Sequence, residues 1–539
     1  MMQQASKKKD RMRSGLSWWK CCAIYQIGPR SFQDSNGDGI GDLPGILSRL
    51  DYLSWLGIRA IWLCPVYRSP MLDFGYDISD YTDVDPIFGT LADLDRLIRE
   101  SHARDIKLVL DVVPNHSSDQ HPWFIESRSS RLSPKRDWYV WADAAPDGGP
   151  PSNWLSRFGG SAWEWDEASG QYYYHAFLSQ QPDLNWHNPE IHHAFANVLR
   201  FWLARGVDGL RVDASAVLAE DPLLRDDPPN PDYDENTPPP DRLKRIFTDS
   251  RPETMDYIEE IRAVLDEFPD RVLIGEVQGG VERIGQFYDN ERPRFHLPLN
   301  FILLDTAWDT ASIAASIDQY LNSIPKEAWP VWVLGGHDKP RIASTVGVEQ
   351  ARIAAMLLLT LPGTPIFHAG DEIGMPNGEI PPDKVRDPFE LLVGGYGLGR
   401  DPERTPMRWD SSPNAGFTTG EPWLPIGDRI AECNVATQRD DPHSMLSLYR
   451  NLIALRHREV ALSAGRFEPR RSQGDVLLFE RRLEHQIFVV ALNLGNRDQA
   501  VQIGSPFRVR LSTHLDRQGE TDGQELNLRS AEGAILELR

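Results

Sequence analysis

The chain has 539 residues, 40% hydrophobic and 25% charged, an ordinary soluble composition with length enough for a large core. Its formal net charge of −22 argues against nucleic acid or an anionic membrane as partner, since both recruit a basic face, and favours a small neutral one. No apolar run reaches the roughly 18 residues of a membrane span. The four cysteines, Cys21, Cys22, Cys64 and Cys433, lack zinc-type spacing, so free thiols and a cytoplasmic location are expected.

The start, MMQQASKKKDRMRSG, is basic but has neither the apolar stretch nor the cleavage site of a signal peptide, and residues 1–17 are expected to be a disordered tail. CCAIYQI (21–27) reads as a strand, and Leu43, Ile46, Leu47, Leu50 and Leu53 then recur at helical spacing. AIWLCPV (60–66), KLVLDVV (107–113), GLRVDA (209–214), RVLIGEV (271–277), FHLPLNF (295–301), PVWVLGGHD (330–338) and GTPIFHAG (363–370) continue the strand series. Helical patterns over 91–105, 189–205, 254–267, 311–323 and 348–361 separate most of them. Apolar strands alternating with helices predict a parallel sheet, and eight such units predict an α/β fold of the (β/α)8 TIM-barrel type.

Three segments interrupt this order. Residues 114–188, rich in Trp, Gly and Pro, are too long for a loop and are expected to form an inserted subdomain after the third strand. Residues 217–252 contain DDPPNPDYDENTPPPD and read as a partly mobile surface loop, and 371–440 is again long and Gly/Pro-rich. From about 467 the runs GDVLLFERR and HQIFVVALNLG predict antiparallel strands. The expected organisation is therefore a barrel over 18–113 and 189–466, an insert over 114–188 and a C-terminal antiparallel β domain over 467–539.

A barrel performs its chemistry at the C-terminal ends of its strands. There the third strand supplies Asp111, Asn115 and His116, the fourth Arg211 and Asp213, the fifth Glu276, and the seventh His337 and Asp338. A salt bridge explains any one of these, but not so many acids on one face. Two carboxyls flanking a bond are what glycoside hydrolysis needs, one protonated and one ionised. Arg211, two residues before Asp213 on the same side of the strand, would keep Asp213 ionised. Glu276 ends an apolar run, where desolvation raises a carboxyl.

DVVPNH, GVDGLRVDA, LIGEV and GGHD resemble, in order, the motifs of glycoside hydrolase family 13, the α-amylase family. FGYDISDY (74–81), QPDLNW (181–186) and GRDPERTPMRW (399–409) are similar to its α-glucosidase and oligo-1,6-glucosidase branch. The resemblance spans roughly residues 18–460. It implies Asp213 as nucleophile, Glu276 as general acid and base, and Asp338 as the third acid, which binds sugar hydroxyls. It also implies that Asp77, His116, Arg211 and His337 hold the same glucose, that Tyr76 stacks on it, that Arg400 lies near the pocket floor and that Phe177 shapes the entrance. The implied enzyme is a retaining, exo-acting α-glucosidase for maltose and malto-oligosaccharides. Ala214, after the nucleophile, resembles the residue of α-1,4-preferring members. One departure is Gly336, where the family usually carries Asn. Alternatives are a transglucosidase, trehalose synthase or sucrose-active enzyme, and an inactive binding subunit.

DSNGDGIGD (34–42) has the ligand spacing of half an EF-hand, but the twelfth place, Gly45, lacks the bidentate Glu. The resemblance implies a structural Ca2+ or Mg2+ there, held by Asp34, Asn36, Asp38, the Ile40 carbonyl and Asp42. The other reading is a glycine-rich turn whose Asp side chains cap its own backbone.

Overall fold

The computed structural model describes residues 15–277, 280–288, 291–519 and 521–539. Of the tail expected over 1–17, residues 1–14 lie outside them. Eight strands form one parallel sheet: β1 (Ile24–Ile27), β2 (Ala60–Leu63), β3 (Lys107–Val112), β4 (Gly209–Val212), β5 (Val272–Gly275), β6 (Leu297–Pro298), β7 (Val331–Val333) and β8 (Thr364–His368). The hydrogen-bonded order is β6-β5-β4-β3-β2-β1-β8-β7, a nearly closed barrel. Register is continuous, with Ile24 beside both Ala60 and Ile366. The sequence marks 295–301 as a strand, but only two residues pair. Pro298 has no N–H to give to the ladder, which shortens the strand.

Both faces of this sheet are covered. Ile24, Trp62, Val109, Ile274, Val333 and Ile366 fill the barrel interior. The alternate residues, among them Tyr25, Ile61, Leu108, Leu210, Leu273 and Phe367, pack outward against the helices. Helices Leu91–His102, Pro189–Ala204, Pro252–Asp266, Thr310–Ser323 and Val348–Thr360 fall where the apolar spacing places them. Their starts are written in the sequence. Thr90 and Asp93 make a reciprocal capping box, and Asp309 accepts from the N–H groups of Ala311 and Ser312. Among the described residues no helix is long and apolar enough to cross a membrane.

Between β3 and β4 the chain folds a small antiparallel sheet from Trp141–Ala142, Gln171–Tyr174 and Trp163–Asp166 over a core of Trp154, Trp163 and Tyr174. The loop 217–252, read from sequence as partly mobile, is fastened to this insert. Asn153 exchanges hydrogen bonds with Asp226 and Asp227, Trp154 donates its indole N–H to the Arg225 carbonyl (2.8 Å), and Arg157 pairs with Asp249 (2.9 Å). Asp226, Asp227 and Asp249 fasten the loop, while Asp232, Asp234 and Glu235 face solvent.

The last strands, from Arg466–Pro469 to Gly533–Leu538, form a six-stranded antiparallel sheet beside a two-stranded ribbon. Two fully buried arginines sit at its seam with the barrel, Arg481 reaching across from the sheet and Arg456 bracing the barrel side. Arg456 donates to the carbonyls of Leu359, Leu361, Leu462 and Gly363, and Arg481 to those of Thr360, Leu462, Ser463 and Gly465. Several of these carbonyls lie at the C-terminal end of helix Val348–Thr360, the negative end of its dipole, which suits an unpaired cation.

Candidate active site

Arg211, on β4 and buried, is the centre of the charge cluster. Its Nη1 donates to Asp111 (2.9 and 3.1 Å) and to Asp213 (2.5 Å), and its Nη2 donates to Glu276 (2.8 Å). The guanidinium lies 4.9 Å from the centre of the Trp62 ring. One cation cannot neutralise three acids, and burial raises Asp111 and Asp213 above the usual carboxylate range against the pull of Arg211. The cluster therefore holds protons to a higher pH than free carboxyls do, which corrects the expectation that Arg211 by itself keeps Asp213 ionised. Asp213 is free to attack only in the form in which the proton sits on another member of the cluster.

The backbone holds the two outer acids. Ala214, after Asp213, is left-handed (φ 48°) and donates its N–H to Glu276 (3.1 Å). Gly275, before Glu276, has no room for a side chain, because a Cβ there would come within 2.3 Å of the Phe295 ring.

A second cluster follows β7. Gln26 donates to Nδ1 of His337 (2.6 Å), which places the ring proton on Nε2, 2.9 Å from Asp338 and 2.9 Å from the Tyr76 hydroxyl. Tyr76 lies parallel to His337 (interplanar angle 2°) and donates to Asp111 (3.1 Å). Asp338 also accepts from Arg404 and from Arg400 (3.3 Å). Burial alone would raise Asp338, but His337, Arg404 and Arg400 hold it well below the usual range. Asp213 and Asp338 thus sit at opposite ends of the carboxylate range. Gly336 needs no special backbone, and a Cβ there would meet only the Gln26 amide oxygen, at 3.6 Å. Packing does not demand glycine at this position.

A cavity of about 1050 Å³ opens over both clusters. Asp213, Glu276, Asp338, Tyr76, His116, Arg211, His337, Arg400 and Phe177 all line it. The insert adds Arg157 and Phe158, the loop after β4 adds Pro238 and Arg245, and the segment after β8 adds Phe389 and Glu390. His116 is buried and lowered to about 3 by desolvation, so it is neutral. Its Nδ1–H donates to Asn115 (2.9 Å), and its Nε2 accepts from Gln181 (3.1 Å).

Asp77 is a correction to the sequence-based set. It is fully buried and does not line the cavity. Its carboxylate accepts from Ser69 (2.8 Å) and from the N–H groups of Leu72 (2.8 Å) and Asp73 (3.1 Å), while burial lifts it to about 6. It shapes the turn that carries Tyr76. The acid at the cavity is Asp73, paired with Arg400 (2.9 Å) and accepting from Gln181 (3.1 Å). Arg400 is bound in turn to Asp387 (2.7 Å). Asp73→Asn is expected to raise KM about tenfold or more with little change in melting temperature. Asp77→Asn is expected to lower the melting temperature first, because one acceptor would then face a donor. Thermal melts beside Michaelis curves on the two variants separate the roles, and the reverse pattern would return the substrate contact to Asp77.

The 34–42 loop closes on its own backbone. Asp34 accepts from the N–H groups of Asn36 (2.9 Å), Gly37 (2.8 Å) and Gly39 (2.8 Å) and from the Thr418 hydroxyl. Asn36 accepts from the Asp38 N–H (2.9 Å), and Asp38 accepts from the Ile40 N–H (2.8 Å). Gly39 is left-handed (φ 90°), and a Cβ on it would strike the Glu421 carbonyl at 1.8 Å, so the 416–422 turn fixes the loop. Both Asp42 oxygens accept as well, one from the Gly45 N–H at a helix start (2.6 Å) and one from Ser35 (2.8 and 3.1 Å), as both Asp34 oxygens do. Among the described residues no three acidic, histidine or cysteine groups gather as metal ligands. Asn36, Asp38 and the Ile40 carbonyl are nonetheless oxygen donors of the kind a hard cation takes.

Sequence reasoning missed Asp73, Asp387 and Arg404. Arg404 stood in the quoted GRDPERTPMRW run, four residues after Arg400. Asp387 and Asp73 carry no local signal, since their shared partner Arg400 is distant from Asp73 in the chain.

A nearly closed parallel barrel with paired acids at the C-terminal strand ends is an arrangement suited to glycoside hydrolysis. The alpha amylase catalytic-domain model matches residues 26–465, and the chain belongs to the α-amylase family. It is 44% identical over 479 residues to a probable alpha-glucosidase of Rhizobium meliloti (strain 1021), covering 86% of this chain and 87% of that protein. It is 36% identical over 569 residues to an oligo-1,6-glucosidase of Parageobacillus thermoglucosidasius, covering 97% and 99%. Among solved structures, the alpha-glucosyl transfer enzyme XgtA superposes with a TM-score of 0.91 at 39% identity, covering 97% of this chain and all (100%) of that one. The trehalulose synthase MutB from Pseudomonas mesoacidophila MX-45 gives 0.89 at 36% identity, with the same coverage of 97% and 100%.

Proposed function

We propose that the protein is a retaining, exo-acting α-glucosidase that removes terminal glucose from short α-1,4-linked oligosaccharides such as maltose. The observation that carries this reading is the single Arg211 guanidinium holding Asp213 on one nitrogen and Glu276 on the other, at the bottom of a cavity walled by three long segments. In the first step Asp213 attacks the anomeric carbon while Glu276 protonates the leaving oxygen, giving a covalent glucosyl-enzyme. In the second step Glu276 takes a proton from water, which displaces Asp213. Asp338, kept ionised by His337 and two arginines, binds sugar hydroxyls and favours the cationic transition state. His116, Tyr76 and Arg400 hold the terminal glucose, and Phe177 narrows the mouth.

An accessory reading is transfer to a sugar acceptor in place of water. The α-glucosyl transfer enzyme and the trehalulose synthase among the similar structures favour keeping it. A panel of maltose, isomaltose, sucrose and trehalose with product identification decides between the two. Proton NMR of early maltose hydrolysis is expected to show α-glucose first, and β-glucose first would exclude double displacement.

We infer a structural Ca2+ or Mg2+ on the 34–42 loop, held by Asp34, Asn36, Asp38, the Ile40 carbonyl and Asp42. The alternating oxygen donors support it, and the cation would tie the first βα loop without touching the chemistry. A chelator is expected to lower the melting temperature by several degrees and restored Ca2+ to reverse it. An unchanged melt would remove the metal. The free cysteines support a reducing compartment, the cytoplasm.

A further inference from the structure

Gln26 is a polar side chain of the cavity wall to which the double displacement gives no part. It is buried on β1, in register with Trp62 of β2, and it lines the cavity. Like Ile24, two residues earlier, it points into the barrel. Its amide nitrogen has two hydrogens to give. One goes to Nδ1 of His337 (2.6 Å) and the other toward Sγ of Cys64 (3.7 Å). Burial raises the Cys64 thiol, so the sulfur stays neutral and is only a weak acceptor. The strong contact of the Gln26 amide is therefore the one to His337.

The His337 ring is held in two different ways. Tyr76 lies parallel to it (5.6 Å between ring centres, interplanar angle 2°) and Trp62 meets it edge-on (6.1 Å, 87°). These contacts fix the plane of the ring but not the place of its hydrogen. The nitrogens decide that. Nε2 faces two acceptors, Oδ2 of Asp338 (2.9 Å) and the Tyr76 hydroxyl oxygen (2.9 Å), whose own hydrogen goes to Asp111. Nδ1 faces the Gln26 donor, which requires a lone pair there. Gln26 thus keeps Nδ1 bare, and the ring is a neutral donor with its one hydrogen aimed at Asp338. The other Asp338 oxygen is held by Arg404 and by Arg400 (3.3 Å), so the His337 bond is what stops the carboxylate from turning.

We propose that Gln26 is a positioning residue of the glucose site: by keeping Nδ1 of His337 bare, it sets the hydrogen bond that aims Asp338 at the sugar hydroxyls. Without this donor the ring has two other states open to it. If the hydrogen moves to Nδ1, a lone pair faces Oδ2 and the carboxylate loses its hold. If Nδ1 takes a second hydrogen, the ring becomes a cation beside Asp338. It then offsets the negative charge that favours a cationic transition state. Either state weakens Asp338, and Gln26 itself touches no reacting atom. The role of Asp338 in this inference rests on the α-glucosidase reading, whereas the place of the ring hydrogen does not.

The ring hydrogen is located by NMR of the full chain carrying isotope-labelled histidine, at neutral pH. The His337 signals are identified by their loss in His337→Gln. In the wild type a bare Nδ1 and a protonated Nε2 are expected, and a hydrogen on Nδ1 would overturn the proposal. Gln26→Met keeps the length of the side chain without its donor, and Gln26→Leu is a second donor-free variant in case the first does not fold. Either is expected to let a hydrogen onto Nδ1 in part of the molecules. An Nδ1 as bare as in the wild type would overturn the proposal. With an aryl α-glucoside carrying a good leaving group, kcat/KM is expected to fall about 10–100-fold, as when a catalytic group is displaced by about 1 Å. The same substitution in an Asp338→Ala background should change kcat/KM by less than about twofold, because members of one chain of contacts do not add. Equal losses in the two backgrounds would mean that Gln26 serves the packing of the barrel, and an undiminished kcat/KM in Gln26→Met would likewise overturn the proposal. Failure to hydrolyse any α-glucoside would defeat the α-glucosidase reading and leave the NMR to judge Gln26.

Discussion

Asp213→Asn and Glu276→Gln are each expected to cut kcat/KM for maltose by roughly 10²–10⁴-fold or more, the usual worth of a positioned nucleophile or proton donor. The two losses should differ in kind. Glu276→Gln removes a proton donor, so an aryl glucoside with a good leaving group should lose much less in glucosyl-enzyme formation than maltose does. Asp213→Asn removes the attacking oxygen, and no choice of leaving group should spare it. Neither substitution should unfold the chain, because the new amide can still accept from Arg211 through its oxygen. Each should instead stabilise it slightly. Arg211 faces three carboxyls with one positive charge, and burial already raises two of them. Removing one excess negative charge relieves repulsion, the familiar exchange of stability for activity at catalytic acids. Steady-state kinetics on the two substrates, with melting curves, check both halves. Near-wild-type rates in either variant would remove that residue from the chemistry, and a sharp fall in melting temperature would show that it holds the fold instead.

The barrel and its catalytic end were legible because both depend on local pattern. Near-continuous apolar runs such as KLVLDVV mark strands covered on both faces, and the polar residue ending each run marks the face where chemistry can be done. Asp213, Glu276 and Asp338 needed only that rule and the family motifs. Other features needed partners that no window contains. Asp73 and Asp77 sit in one turn, and sequence could not say which faces the cavity, because that depends on Arg400, which reaches Asp73 from the segment after β8. The loop after β4 looked mobile from its Pro and Asp content, yet Asn153, Trp154 and Arg157 of the insert fasten it. The Asp34, Asn36, Asp38 and Asp42 side chains looked like ligands, and all four accept from the loop's own N–H groups. A donor set and a self-capped turn share one sequence, and only the hydrogen-bond partners tell them apart.

Arg211→Met is expected to cost more stability than any other single change in the site, about 3–5 kcal/mol at pH 8, the range for breaking a buried ion pair from one side. Asp111 is the reason. It is buried on β3, and Arg211 supplies its charged partner, with Trp62 (3.1 Å) and Tyr76 (3.1 Å) giving only neutral hydrogen bonds. Without the guanidinium, Asp111 and its neighbours would escape the penalty by taking up protons, so their folded-state pKa values rise further above the unfolded value near 4. The deficit should then be small near pH 4.5, where unfolded carboxyls are themselves about half protonated, and should grow as pH rises. Arg211→Lys should recover only part of it, because a single ammonium cannot span Asp213 on one side and Glu276 on the other as the two guanidinium nitrogens do. Urea unfolding of the three proteins at pH 4.5 and pH 8 measures this directly. A deficit equal at both pH values would mean that Arg211 is needed for its packing on Trp62 and not for its charge. A Lys variant as stable and active as wild type would mean that the fork between Asp213 and Glu276 is dispensable, and with it the arrangement on which the proposed double displacement rests.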